Sequence, residues 1–256
     1  QYENEKILNE IHQRILKGNS DLLIFSENNF PFLISDINFS KIQEILDTNQ
    51  TVIIGGTRIE KNKYYNSLFT ISKTDIKIFD KQILVPFGEF LPLRKYLNFL
   101  TPISGNNDFT PGLKTRSIQI NDSINFIPII CYEIIFYWKL INNKNYNDNL
   151  LINITNDIWF GKYLGPYQHF YHTKVRAAEF NKPIIRVSNN GISGLIDNNG
   201  KILLTSQLNT MKIINGKYKL QERNNFYFTH YYLNFYLLII ILILILLNFT
   251  KKNYAR

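Results

Sequence analysis

The sequence predicts an α/β domain followed by one long apolar helix, and three observations predict it. Short apolar runs suited to buried strands alternate with segments of helical periodicity. The candidate reactive side chains Glu27, Lys81 and Cys131 fall at or just after strand ends, where the active sites of such folds gather. The stretch 231–249, YYLNFYLLIIILILILLNF, has no polar face.

Residues 3–17 are expected as an amphipathic helix, with Ile7, Leu8, Ile11 and Ile15 on one face and Gly18 as the stop. Residues 21–25 form a buried strand with Ser26 and Glu27 at its end, and a second helix runs from about Ser40, its N-cap, to Leu46. Residues 51–55 are another buried strand. Residues 65–72 and 76–79 alternate around a turn at Lys73-Thr74-Asp75, the pattern of a hairpin. A loop rich in Pro, Gly and aromatics spans Pro86 to about Gly112, and loops of that length in a compact domain are functional or disordered. Strands are expected at 124–130, ending at Cys131, at 150–154, and at 183–187, with a helix over 167–181. Asn198-Asn199-Gly200 closes a last hairpin with residues that suit a type I′ turn.

The 256 residues suffice for one sizeable domain, and 45% apolar with 19% charged residues is the composition of a packed core. The net charge of +9 permits contact with an anionic membrane, but no Lys/Arg cluster with interleaved aromatics occurs, so nucleic acid is not an expected partner. A single cysteine excludes an intramolecular disulfide. Of the histidines only His169 and His172 are neighbours, with no acidic or thiol ligand pair nearby, so no metal is expected. The chain starts at Gln1 without a signal peptide and reads as cut from something longer.

Residues 226–250 are expected as a transmembrane helix, since about 20 residues at roughly 1.5 Å each match a hydrocarbon core of about 30 Å. Phe226, Tyr227, Phe228, Tyr231 and Tyr232 would form an interfacial belt, and 251–256 a basic tail. The terminal Lys251, Lys252 and Arg256 favour a cytoplasmic C-terminus and a domain on the other side; Lys212, Lys217, Lys219 and Arg223 weaken that asymmetry.

Cys131 stands where a buried strand meets a turn, which presents a thiol to a cleft. A nucleophilic thiol needs a proton acceptor, and Glu27 is suited to it. Lys81 could stabilise an oxyanion. On spacing alone a surface Glu, a surface Lys and a core Cys are the better explanation of these residues.

The flanking sequence is more specific. Phe79-Asp-Lys81-Gln-Ile-Leu-Val-Pro86-Phe-Gly-Glu89-Phe-Leu-Pro92 and Ile130-Cys131-Tyr132-Glu133 closely resemble the lysine and nucleophile motifs of apolipoprotein N-acyltransferases of the nitrilase superfamily. Asn156-Asp-Ile-Trp-Phe-Gly161, Gly165-Pro-Tyr-Gln-His169, Arg176-Ala-Ala-Glu-Phe180 and Arg186-Val-Ser-Asn-Asn-Gly191 continue the likeness in order. The resemblance implies a nitrilase-like α-β-β-α sandwich over 1–225. It implies Glu27 as general base, Lys81 as oxyanion stabiliser and Cys131 as nucleophile. Glu89 would position the lysine, Tyr132 and Glu133 would line the site, and Trp159 and Phe160 would lie near an acyl chain unless they are ordinary core aromatics.

The implied reaction takes a fatty acyl group from a membrane phospholipid onto Cys131 as a thioester. It then passes to the N-terminal amine of the diacylglyceryl-cysteine of a lipoprotein, at the bacterial inner membrane with the domain facing the periplasm. No cofactor is expected. The chain departs from the family pattern in lacking a preceding bundle of membrane helices and the first strand of the domain, and in carrying Phe25-Ser26-Glu27 where Trp-Pro-Glu is usual. A membrane-tethered amidase of the same superfamily and an inactive membrane-anchored fragment are the alternative readings.

Overall fold

In the computed structural model of the chain, two β-sheets stack face to face with helices on both outer surfaces. The structure describes residues 2–17, 20–28, 33–34, 36–97, 99, 101, 107–142, 144–145, 147–220 and 231–254. The first sheet has the order β1-β2-β3-β4, with β1 (Leu22–Ile24), β2 (Thr51–Glu60), β3 (Lys63–Ser72) and β4 (Ile76–Asp80). β1 runs parallel to β2, and the rest are antiparallel. The second sheet has the order β10-β9-β8-β7-β6-β5. In it β6 (Ile124–Ile130), β7 (Leu150–Asn156) and β8 (Ile184–Asn189) are mutually parallel. β5 (Ile118–Asn121), β9 (Gly194–Ile196) and β10 (Ile202–Thr205) are antiparallel additions at its ends.

Strand alternation explains the layers. Val52, Ile54, Phe69 and Ile71 face outward and pack on Ile11 and Ile15 of α1 (Tyr2–Lys17) and on Phe39 and Ile42 of α2 (Asp36–Ile45). Their neighbours Ile53 and Leu68 turn inward and meet Phe126, Ile130, Ile152 and Ile154 of the second sheet. On the far side Ile127, Ile129, Leu151 and Ile184 pack on Phe170, Ala177 and Phe180 of α4 (Leu164–Phe180); the short α3 (Tyr137–Leu140) precedes β7. The α-β-β-α sandwich is thus present in this chain.

Several boundaries differ from expectation for local reasons. α4 begins three residues earlier than 167 because Pro166 sits in its first turn, where no amide partner is lost. It closes on Asn181, which adopts left-handed φ of 53°. The turn at Asn198-Asn199-Gly200 is not type I′: only Gly200 has positive φ (81°), and Gly200 N–H donates to Asp197 O at 3.0 Å. That is a type I turn closed by a glycine bulge. The I′ turn instead joins β2 to β3, where Lys61 and Asn62 have φ of 49° and 60° between paired Glu60 and Lys63. The strand β5, only four residues long, was not expected.

The C-terminal helix ends later than expected. Residues 226–230 lie outside the described residues, and α5 (Tyr231–Tyr254) runs through Lys251 and Lys252 rather than ending before them. Among the described residues no helix is long and apolar enough to cross a membrane. α5 itself is 24 residues long and closes on the polar segment Thr250-Lys251-Lys252-Asn253. Within it Phe235, Tyr236, Leu237, Leu238 and 240–245 are all exposed.

Candidate active site

Glu27 follows β1 and is carried into the gap between the sheets. It gets there because β2 has Gly55 opposite: a Cβ at Gly55 would lie 2.7 Å from Glu27 Cα. The carboxylate is buried and bridges the sheets. Its Oε1 accepts from Asn66 Nδ2 of β3 at 2.7 Å, and its Oε2 from the backbone N–H of Asn156, at the end of β7, at 2.9 Å.

Lys81 immediately follows β4 and is 1% exposed. Its backbone is pinned by bonds from Lys81 N–H to Asn66 O and from Gly112 N–H to Lys81 O, both 2.8 Å. Its Nζ lies 2.9 Å from both oxygens of Glu89 and 3.9 Å from Glu27 Oε1. Glu89 also accepts from Asn66 Nδ2 (2.8 Å) and from Val85 N–H (2.8 Å), so one amide group serves both carboxylates.

Cys131 immediately follows β6 with φ of 52°, a left-handed conformation unusual for a residue with a side chain. The turn projects the thiol toward Glu27, the Thr155 hydroxyl and the Asn156 amide. The structure therefore brings Glu27, Lys81, Cys131 and Glu89 into one buried cluster.

The charges sort the roles these groups can play. Burial raises the thiol of Cys131 to about 12, Glu27 adds to the rise, and Lys81 opposes it. Burial also raises the carboxyl of Glu27, against the pull of Lys81 and Asn66. Burial works against the ammonium of Lys81, but Glu27 and Glu89 outweigh it and hold the proton on. Two carboxylates thus face one ammonium. Glu89, in direct contact with it, is its standing counterion; Glu27, a full ångström further away, is the one suited to accept a proton.

Glu133 is fully buried, and its hydrogen bonds tie it to backbone amides and to Arg116. Its Oε1 accepts from the amides of Gln82 (2.8 Å) and Ile83 (3.1 Å), and its Oε2 from Ile130 N–H (2.9 Å). Buried Arg116 grips both oxygens at 2.7 and 2.8 Å and donates to Pro128 O. Glu133 therefore fastens the segment after Lys81 to the strand before Cys131. Burial pushes its carboxyl up, but Arg116 and the amides prevail and hold it below the ordinary range.

A second buried network supports the loop after β7. Arg186 is fully buried and donates to Asn153 Oδ1 (2.6 Å) and Asp157 Oδ2 (2.7 Å). Asp157 Oδ1 lies 2.8 Å from His169 Nδ1. Although burial opposes ionisation, His169 and Arg186 lower Asp157 to about 2.

Tyr132 is half-buried, its ring 6.5 Å from that of His169 and 5.6 Å from that of Phe136. Phe160 is half-buried against His169, with centroids 4.9 Å apart. Trp159 is 82% exposed and is not a core aromatic. Among the described residues no cluster of His, Cys, Asp or Glu could hold a metal. Asn66 and Arg116 escape the sequence reading. Neither stands out in the sequence: Asn66 is one of several polar residues of β3, and Arg116 lies in an irregular segment. Asp157, His169 and Arg186 fall in quoted motifs, but nothing in their spacing reveals that they meet.

Residues 4–226 match the family described as Carbon-nitrogen hydrolase. Curated relatives named apolipoprotein N-acyltransferase include those of Brucella melitensis, 33% identical over 77% of this chain, and Rickettsia typhi, 36% identical over 77%. The chain spans 40% and 41% of their respective lengths. Among solved structures, an amidase of the nitrilase superfamily from Nesterenkonia superposes with a TM-score of 0.60 at 12% identity, covering 80% of this chain and 81% of that one. A CN-hydrolase superfamily protein from Xanthomonas campestris superposes at 0.55 and 15% identity, over 79% and 80% of the two chains. At such identities these two likenesses bear on the fold alone.

Proposed function

The chain belongs to the carbon-nitrogen hydrolase family, and on that premise we propose that it is the acyl-transferring domain of an apolipoprotein N-acyltransferase. The observation that carries this reading is the buried cluster of Cys131, Glu27 and Lys81, joined to curated relatives that are named for the activity. Cys131 attacks the ester carbonyl of a phospholipid. With a thiol near 12, free thiolate is only about one part in a hundred thousand at neutral pH, so the proton leaves during attack, to Glu27. Lys81, held protonated, stabilises the oxyanion. The intermediate collapses to an acyl thioester on Cys131, and the lysophospholipid leaves with the proton that Glu27 returns.

In the second half-reaction the α-amine of a diacylglyceryl-cysteine attacks the thioester, Glu27 takes the amine proton, and the thiol is restored as the amide forms. The cluster is almost wholly buried, Glu27 at 4% and Cys131 at 8% exposure. Exclusion of water favours aminolysis of the thioester over its hydrolysis. Trp159 and Phe160 would border the acyl chain.

The same proposal assigns the catalytic domain to 1–225 and the membrane anchor to 226–250, placing the protein at the bacterial inner membrane with the domain facing the periplasm. Supporting the anchor is the exposure of apolar side chains along α5 from Phe235 to Ile245, which a helix packed in a protein core would not show. Phospholipid and a diacylated lipoprotein N-terminus are then the partners.

Intact-mass measurement after incubation with phospholipid vesicles tests the proposal. A gain of one fatty-acyl group in the wild-type chain, absent in Cys131→Ala and discharged by a diacylated lipopeptide, is expected. Release of ammonia from small amides without acylation would instead establish an amidase, and a folded protein doing neither would be a non-catalytic anchor.

A further inference from the structure

We infer that Arg94 and Asp108 are positioning residues for Glu89, clasping the long connection between β4 and β5 where it passes that carboxylate; this rests on the reading of Lys81 as the oxyanion stabiliser. The outgoing limb of the connection carries Glu89 and Leu91. The returning limb is tied to the site, since Thr110 N–H bonds Tyr64 O of β3 at 2.7 Å and Gly112 N–H bonds Lys81 O. The two limbs are joined by Phe109 N–H to Glu89 O and by Leu91 N–H to Asp108 Oδ1, both 2.8 Å. Arg94 completes the join: its Nε lies 2.9 Å from Asp108 Oδ2, and its Nη2 bonds Asp108 Oδ1.

An exposed ion pair contributes little unless its geometry is forked. Here two guanidinium nitrogens meet two carboxylate oxygens. Arg94 holds the Asp108 carboxyl below its ordinary range, against burial and with help from the Leu91 amide. The pair also acts on the backbone, because the oxygen that takes Nη2 takes the amide two residues after Glu89. That backbone needs holding. Phe87 and Leu93, on either side of Glu89, have φ of 65° and 51°, conformations that persist only where the surroundings over-determine them. With the clasp open, Asp108 is free to leave the Leu91 amide, and the Glu89 carboxylate drifts from Lys81 Nζ, which it meets at 2.9 Å. Lys81 is then left with Glu27, at 3.9 Å, as its counterion. An ammonium drawn on to Glu27 leaves the place where an oxyanion forms and weakens the base as well.

The full chain is compared as wild type, Arg94→Ala, Asp108→Ala and the double variant, each with its thermal unfolding midpoint. Thioester formation from phospholipid vesicles is read by intact mass. Hydrogen–deuterium exchange of peptides covering 83–91 reads the outgoing limb without any substrate. Each single variant is expected to form the thioester about tenfold more slowly, as misplacement near the chemistry does. The vesicle concentration at half-saturation and the unfolding midpoint should stay at their wild-type values. Exchange over 83–91 should quicken about tenfold, with no change over β6 and β7. The double variant should be no slower than the singles, since the two side chains act as one unit. Multiplied losses in the double variant, unchanged exchange over 83–91, or a shifted half-saturation at full rate would overturn the inference. So would a slower rate that comes with a lower midpoint and faster exchange throughout the domain, the mark of a merely structural pair. Should the wild type never acylate, the transferase reading fails, while exchange over 83–91 still judges the clasp.

Discussion

Replacing Arg116 by leucine tests how the two halves of the site are held together. The guanidinium makes two bonds to Glu133 and one to Pro128 O, all buried. Leucine leaves the Glu133 carboxylate with three backbone amides and only the weaker pull of the Lys81 ammonium. Breaking a buried ion pair from one side costs about 3–5 kcal/mol, and the three remaining amides place the expected loss near the lower end. The pH dependence has a definite sign. In the wild type Glu133 is held below the ordinary carboxyl range, so its contribution is present above the unfolded value and fades as pH falls through the folded one. In Arg116→Leu burial acts without that restraint and the folded value rises. The variant then carries its cost at neutral pH and recovers as acidification neutralises Glu133. Urea denaturation followed by circular dichroism at neutral and mildly acidic pH reads both effects, and Glu133→Gln completes a double-mutant cycle. A loss under about 1 kcal/mol at neutral pH, or additive single-variant effects in the cycle, would refute the coupling of these residues.

Asn66→Ala removes the donor shared by Glu27 and Glu89. The Glu27 carboxyl, already raised by burial, should rise further, so thioester formation, which is lost as pH falls through that value, should lose its acid limb at a higher pH; a pH–rate profile that does not move speaks against the role. Gly55→Ala should destabilise the fold by about 1–3 kcal/mol through overpacking, since the new Cβ meets Glu27 Cα at 2.7 Å and Ile154 Cδ1 at 2.9 Å. Thermal melts check that stability loss, and single-turnover acylation should fall with it. The double change Ile241→Lys and Leu244→Lys should abolish co-sedimentation with phospholipid vesicles and leave the unfolding midpoint of the domain unchanged; retained binding would remove the anchor from the proposal.

The layered fold is legible because each layer has its own period. Val52, Ile53 and Ile54 are a continuous apolar run since successive residues face a helix and then the other sheet, both dry. The expected positions of Glu27, Lys81 and Cys131 follow from the strands that precede them. The turns are less legible: Asn-Asn-Gly carries the residues of one turn type and adopts another, while the less typical Lys61-Asn62 takes the tighter one. The supporting shell is the least legible part. Arg116, Asn66 and Arg186 act on groups between 17 and 39 positions away, at Glu133, Glu27 and Asp157. No local pattern encodes a partner at that distance. The charge of a fully buried Arg186 follows only from knowing that Asp157 arrives beside it.

One consequence follows from the three-residue length of β1 and its place at the end of the sheet order. Glu27, the proposed proton acceptor, follows a strand with three registered pairs to β2, while thiol and ammonium follow the longer β6 and β4. Marginal pairing frays before a core does. Warming should therefore disarm the protein while its far-ultraviolet spectrum is still native, the carboxylate drifting from its neighbours ahead of any cooperative melt. Shelf life of the chemistry and shelf life of the fold are then separate quantities, and ligands that bridge Glu27 to the opposite sheet would lengthen the first without touching the second.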